Sequence, residues 1–378
     1  MKWRVDARDK TRAFKTRAEA ERLRARLQMA VIDGEGFDLA TGLPMSWVDR
    51  EATWWSWSQQ WLAIKWSQWA GHTRRSAVES LVALTPVMKR PGAPPASTDV
   101  IDWLRVHGSR PGSAGWEPPP DWLGRWSVPL LDVDPALLES VRTRATTKLD
   151  GSPVSTEVAR RRKTHLNSIL RAAVRRGLLE LNPMDRTEWK PPARTIAVEI
   201  STVPSYSDVL AISDYVAALR TDGARYAALF ATVGIAGMRP SEAIGVQAAD
   251  LDMPAKGWGL AVLRGAVTSP GTRYTRTGQV VEGKELKQRS VETVREVRVA
   301  PELMDRLRRH RRRFPPVDGS IFSNGGGRAP TTTNYGPVWG RARAVLWPPG
   351  HHLAGTTVYD LRHSGATVML RAGVPPPR

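Results

Sequence analysis

Two short stretches set an arginine at what reads as the start of a helix, and a lysine stands between them in the chain. In Gly237-Met238-Arg239-Pro240-Ser241-Glu242-Ala243 one apolar run ends and another begins. Pro240 suits a first helical position and Glu242 the positive end of the helix dipole. Arg239 is thereby placed where backbone N–H groups and a guanidinium can jointly face an anion. In Val358-Tyr359-Asp360-Leu361-Arg362-His363-Ser364-Gly365-Ala366-Thr367, Thr357 or Asp360 can start a helix that Leu361, Val368 and Met369 anchor. Arg362 then falls near the first turn. Lys287, in Leu286-Lys287-Gln288-Arg289, leads into a strand predicted over Thr293 to Val299. Singly, each has a plainer reading. An arginine at such a turn commonly makes a structural salt bridge, and a lysine at a hairpin tip is commonly just solvated.

The elements that must position these residues follow from spacing. Tyr226 to Gly237 is apolar on all sides and reads as a buried helix; a second helix is predicted over Ser207 to Leu219. Gly259 to Thr268 and Thr293 to Val299 are β-prone and flank a long connection that carries Lys287, with helices resuming at Pro301 and near Pro337. Tyr335 reads as packing before a helix, His351 and His352 as loop residues, and Gly325-Gly326-Gly327 as a turn without the Lys-Ser/Thr ending of a nucleotide loop. Arg306 to Arg313 forms a basic helix end, either DNA-contacting or exposed.

Upstream, Ser155 to Leu179 is the clearest helix: Leu166, Ile169, Leu170, Ala173 and Val174 form one face, and Asn182-Pro183 stops the segment. Arg160, Arg161, Arg162, Lys163, Arg171, Arg175 and Arg176 fill much of the remainder, with almost no acids after Glu157. Such a run is a phosphate-contacting surface or a solvated face. Trp54, Trp55, Trp57, Trp61, Trp66 and Trp69 lie on a pattern compatible with an amphipathic helix. Core packing is the preferred reading over base stacking, because duplex DNA offers no exposed base faces. Pro and Gly crowd residues 91 to 120, predicting a loop or small insertion, and Lys190 to Thr195 is the best linker. Residues 1 to about 48 combine β-prone pieces with a charged helix, Arg17 to Gln28, and close in a Gly-rich stretch.

A chain of 378 residues is long enough for two or three domains. Lys and Arg number 56 against 37 Asp and Glu, a net charge of +19, which predicts an extended polyanion as partner, nucleic acid first. No apolar run reaches the roughly twenty residues of a membrane span, and Met1-Lys2-Trp3-Arg4 does not resemble a secretory signal. Cysteine is absent and the seven histidines show no metal-ligand spacing, so neither a metal nor a cofactor is expected.

Taken together and in order, the three pieces resemble the tyrosine recombinase family, in particular integrases of the actinobacterial or phage type. Arg239 with Ser241 and Glu242 matches the family's G-x-R-x-S-E box, Lys287 its hairpin lysine, and Arg362 with His363, Ser364, Ala366 and Thr367 its second arginine box. Ala173 to Leu178 with Asn182-Pro183 resembles the close of the family's helical core-binding domain, and Phe37-Asp38 to Thr41-Gly42-Leu43-Pro44 its arm-binding segment. The resemblance implies a mainly α chain with a small antiparallel β-sheet in the catalytic domain. Its parts would be an arm at 1–48 with a small α/β fold, a helical core-binding domain at 49–190 and a catalytic domain at 195–378.

The resemblance further implies that Arg239 and Arg362 stabilise a phosphodiester, that Lys287 is the general acid and that Glu242 orients. Tyr359 stands where the family usually has histidine; a phenol can hydrogen-bond to phosphate but does not titrate near neutrality. The family's later G-H or G-W box and its nucleophilic tyrosine have no counterpart before Arg378, so the chain is expected to be C-terminally truncated and inactive as given. The expected partner is double-stranded DNA at attachment sites, with a recombination tetramer if the chain were completed, in the cytoplasm and at the nucleoid. The competing expectation is an integrase remnant that occupies attachment-site DNA without cutting it. A general RNA-binding protein would explain the charge but not the ordered boxes, and common RNA-module signatures are lacking.

Overall fold

A computed structural model describes residues 1–6, 8–11, 13–14, 16–39, 42–44, 52–108, 116–148, 150–190, 200–284 and 294–371. Lys287 and Arg289 lie outside the described residues. The chain divides into two compact units, one of Met1–Trp69 with Thr73–Arg194 and the other of Ala70–His72 with Thr195–Arg378. The fold is mainly helical with small antiparallel sheets. No helix among the described residues is long and apolar enough to cross a membrane.

In the first unit, a hairpin of β1 (Lys2–Val5) and β2 (Arg8–Thr11) precedes helix α1 (Arg17–Ile32), whose Leu23, Leu27 and Ala30 are buried. The Trp3 indole donates to the Gly42 carbonyl at 2.6 Å. Helix α2 (Trp54–Trp66) begins at a Thr53–Ser56 capping box. Trp54, Trp57 and Trp61 are buried, with Trp54 Nε1 bonded to Thr85 and Trp57 Nε1 to the Ile169 carbonyl. Three of the six tryptophans singled out above are therefore core. Each carries a large apolar area, and two of the three satisfy the indole N–H internally.

Helix α3 (Gly71–Leu84) follows. The Pro- and Gly-crowded region, expected as a loop or small insertion, contains helix α4 (Thr98–Val106). Ser97 caps its first turn, and Val100, Trp103 and Leu104 bury one face, so a cap and an apolar stripe outweigh the flanking breakers. Helices α5 (Asp121–Trp126) and α6 (Pro135–Thr146) lead to α7 (Thr156–Arg175). Ser155 caps α7, and Gly177 takes a left-handed φ of +76° just past its end, a conformation that favours glycine.

The second unit is built around α9 (Ala227–Ile235). Every residue from Tyr226 to Met238 is buried, which explains why this stretch is apolar on all sides. Helix α8 (Tyr206–Ala217) packs against it, and α10 (Pro240–Ile244) leaves its end through Gly237, whose φ is +61°. A three-stranded antiparallel sheet follows in the order β3 (Leu251–Asp252), β4 (Gly259–Leu263), β7 (Arg295–Val299), with Ala261 opposite Val297. Strands β5 (Ala266–Thr268) and β6 (Glu282–Lys284) form a separate hairpin between β4 and β7.

Helices α11 (Pro301–Arg313), α12 (Thr332–Leu346) and α13 (Leu361–Arg371) complete the unit. Tyr335 sits inside α12 rather than before it, because Thr331 and Asn334 form a capping box one turn earlier than expected. Its ring packs edge-on against Tyr226 and Phe230.

Candidate functional site

Arg239 is the N-cap residue of α10. Its backbone N–H donates to Glu242 Oε2 at 2.9 Å, and its guanidinium donates to Glu242 Oε1. The short helix therefore folds a carboxylate back over its own start, a capping arrangement with the positive end of the helix beneath it.

Arg362 reaches the same carboxylate from 120 residues away. Asp360 accepts from the Thr357 N–H at 2.7 Å and from its hydroxyl at 2.8 Å, which fixes the entry into α13. Leu361 is fully buried as the anchor, and Arg362 donates to Glu242 Oε2 at 3.5 Å. Upstream, Trp339 Nε1 and Arg343 both donate to the Thr356 carbonyl, holding the approach to α13 against α12.

A third guanidinium completes the cluster. Arg295, the first residue of β7, donates to Glu242 Oε2 at 3.0 Å. It was not among the residues singled out from the sequence, yet a signal is there. In Arg295-Glu296-Val297-Arg298-Val299 the strand alternates, and Val297 and Val299 are buried, so Arg295 shares their inward face. An arginine in phase with two core valines is a cation aimed inward.

Glu242 is only 2% exposed, whereas the arginine side chains keep 35% (Arg239), 27% (Arg295) and 23% (Arg362) of their surface. Burial raises the affinity of the Glu242 carboxyl for its proton. The two hydrogen bonds from Arg239 and the charge of Arg295 outweigh that, and hold it below the ordinary glutamate value. Arg362 is held below the ordinary guanidinium value by its burial first, and then by repulsion from Arg239. Three positive groups on one negative group leave an excess of two positive charges. Two unit charges about 6 Å apart repel by roughly 3 kcal/mol at the effective dielectric of a partly buried site. Such a cluster is suited to a further anion on its open side.

Tyr359 lies beside this cluster, 48% exposed, with its ring edge-on to that of His363. A cavity of about 520 Å³ opens next to Arg239 and Tyr359, lined also by Ser241, Thr268, Thr332 and Trp339.

Six of the seven basic residues lie in α7 and the seventh, Arg176, is its C-cap; all belong to the first unit, and they divide by role. Arg162 donates to the carbonyls of Arg144, Ala145 and Thr147, closing the end of α6. Lys163 donates to the Trp189 carbonyl and lies 5.9 Å from the centre of its ring. Arg161 pairs with Glu157 at 3.1 Å on the surface, and Arg171 lies 3.9 Å from Asp185. Arg160 is half-buried, while Arg175 and Arg176 are exposed.

The basic end of α11 is largely spent inside the second unit. Arg306 pairs with Asp214 and Glu302, Arg308 with Asp305, and Arg313 caps the carbonyls of Ala217 and Leu219. Gly325 to Gly327 form a turn closed by Asn324, and His351 sits in a loop where its Nδ1 accepts from the Leu353 N–H. Among the described residues no cluster of His, Asp or Glu has the makings of a metal site.

Fold and site together define a mainly helical α+β chain with an arginine cluster gathered on one buried carboxylate. No family model matches this chain, and no curated protein matches it. Among solved structures, the Tn1549 transposon integrase in complex with a circular-intermediate DNA is similar over 80% of this chain and 88% of that one, with a TM-score of 0.53 and 15% sequence identity. The same integrase in complex with transposon right-end DNA gives a TM-score of 0.52 over 80% and 87%, also at 15% identity. A lambda integrase dimer bound to a COC′ core site covers 93% of this chain and 79% of that one, at 12% identity and a TM-score of 0.48. The chain shares the fold of the Tn1549 integrase.

Proposed function

We propose that this protein binds duplex DNA and holds one phosphodiester between Arg239 and Arg362, on the plan of a tyrosine-type site-specific recombinase. The observation that carries this reading is the convergence of two arginines 123 positions apart on the single buried carboxylate of Glu242. The net charge of +19 and the fold shared with an integrase solved on DNA support it. In this reading residues 1–48 are an arm-type segment, 49–190 a core-binding domain and 195–378 the catalytic domain, and the DNA partner is an attachment site on which copies of the chain assemble as a tetramer.

In the reaction of that class a tyrosine hydroxyl attacks phosphorus, the bond to the 5′-oxygen breaks, and a 3′-phosphotyrosyl link forms. The departing 5′-oxygen takes up a proton, the role assigned to Lys287, and the 5′-hydroxyl of a partner strand later reverses the step. As negative charge grows on the nonbridging oxygens, guanidiniums already fixed in place stabilise it without reorganisation. Glu242 orients; its oxygens are taken up by arginine donors. Tyr359, which lines the same cavity as Arg239, donates or accepts a hydrogen bond at the phosphate.

A second reading, occupation of attachment-site DNA without cutting, draws on where the tyrosines lie. Tyr226 and Tyr335 are core residues, and Tyr206 is bonded to Glu302 at 2.9 Å. None of these three presents a free hydroxyl for in-line attack, and Tyr359 stands at the position assigned to hydrogen bonding at the phosphate.

Duplex-binding measurements over a salt series test the common part. Tight binding that weakens steeply with salt is expected, with Arg239→Gln and Arg362→Gln each lowering affinity. A flat salt response, or a preference for RNA of mixed sequence, would refute the reading. Incubation with a nicked suicide duplex separates the two forms: an adduct that survives SDS supports the enzyme, and none supports occupation alone.

A further inference from the structure

We infer that Arg295 is a third phosphate-facing guanidinium of this site, seated on Glu242 so that it contacts the same backbone phosphate as Arg239 and Arg362. The inference rests on the duplex-binding reading given above and adds a residue to it.

The geometry is specific. Glu242 Oε2 accepts from the Arg239 backbone N–H, from Arg295 at 3.0 Å and from Arg362 at 3.5 Å, while Oε1 takes the Arg239 guanidinium. Arg295 and Arg362 therefore share one acceptor atom. A guanidinium has five N–H donors in a planar fork. Arg295 uses its Nη1 on the carboxylate, and a little over a quarter of its side chain remains open to solvent, comparable with Arg362. The arginines reach this carboxylate from a helix start, a strand and a second helix start, so a rigid element fixes each of them.

The charge balance argues the same way. One arginine would neutralise Glu242 and two would leave a single excess charge. A third, kept half-buried beside two others, repels both and gains only one shared oxygen, a poor arrangement for stability alone. It becomes favourable once an anion with several acceptor oxygens occupies the open side, as a phosphodiester does and as it does more strongly when its nonbridging oxygens gain charge. If Arg295 served only to brace Glu242, its replacement would weaken folding, and bound duplex would not shield its guanidinium from solvent.

The full-length chain and a duplex oligonucleotide test this, with affinity measured by fluorescence anisotropy over a potassium chloride series. Each phosphate contact to duplex DNA contributes about 0.9 to the slope of log affinity against log salt. Arg295→Gln is expected to lower affinity roughly tenfold at fixed salt, as Arg239→Gln and Arg362→Gln do, while the slope falls by no more than about one even in the triple variant, because the three share one phosphate. Arg295→Lys, which keeps the charge, is expected to recover most of the affinity. If Arg239→Gln and Arg362→Gln lower affinity while Arg295→Gln leaves it unchanged, the inference is wrong and the duplex-binding reading stands. If the wild-type chain binds no duplex, that reading itself has failed.

A second measurement needs no variant and so is immune to misfolding. Phenylglyoxal labelling of the wild-type protein, mapped by peptide mass spectrometry, is expected to show Arg295 protected severalfold by duplex together with Arg239 and Arg362. Protection of those two without Arg295 would overturn the inference.

Discussion

Gly365 of α13 lies directly against Gly237, the residue two places before Arg239. A Cβ built on Gly365 would come within 2.8 Å of the Gly237 nitrogen and 2.7 Å of the Gly234 carbonyl oxygen. This close approach of α13 to the end of α9 sets the separation between the Arg239 turn and the first turn of α13. The two glycines are the hinge pin on which both arginines are mounted.

Gly365→Ala is therefore expected to destabilise the second unit by about 1–3 kcal/mol, because backbone atoms rather than flexible side-chain ends receive the added methyl. Denaturant unfolding followed by far-UV circular dichroism measures it. An unchanged midpoint would mean that α13 can shift away at no cost.

Glu242→Gln should lower stability on the order of 2–3 kcal/mol, toward the low end for a broken buried pair because its three arginines are partly solvated. The sign of the pH effect follows from the depressed native pKa. Its stabilisation is present above the ordinary glutamate value of about 4.3 and is lost as pH falls through the lower native value. Wild type should lose this increment in acid, while Glu242→Gln should show a flatter acid limb in the same unfolding experiment.

His310, 7% exposed, is held neutral by its burial, which lowers its pKa to about 4 despite the hydrogen bond from its ring to the Ile321 carbonyl. The unfolded chain binds a proton there near pH 6.5 and the folded chain does not. Stability should therefore drop by about 3 kcal/mol between pH 6.5 and pH 4 on this residue's account, a loss that His310→Gln removes. Chemical-denaturation midpoints across that range report it, and a variant as acid-sensitive as wild type would contradict it.

On α7, Arg162→Ala should cost about 2–3 kcal/mol, since one charged donor set serves three carbonyls at the end of α6. Replacing the exposed pair Arg175 and Arg176 with Ala should leave stability within about 0.5 kcal/mol. In the proposed duplex complex that double replacement should lower the salt slope. Equal destabilisation by both changes would mean that the exposed pair has a structural role.

Much of this was legible along the chain. The buried helix at Tyr226 to Gly237 announces itself by having no polar face, and α7 by an apolar stripe between a serine cap and a glycine stop. Pro240, Glu242 and Asp360 mark helix starts by local rules that need no tertiary partner. Helix α4 was hidden by the prolines and glycines around it, and the start of α12 was placed about one turn too late, leaving Tyr335 outside it, because its capping pair is Thr-x-x-Asn.

The sequence alone determined most of the helices and strands, which faces are apolar, and that two arginines stand at helix starts, because periodicity and capping act over three or four residues. That Arg239, Arg295 and Arg362 meet on Glu242 was decided only by tertiary structure. Nothing in 123 residues of spacing encodes a shared carboxylate until α9, α13 and β7 have packed. The same packing separated Arg162 and Lys163, spent on backbone carbonyls, from Arg175 and Arg176 at the end of the same basic run, where all four look alike, because a side chain's partners are set by what folds against it.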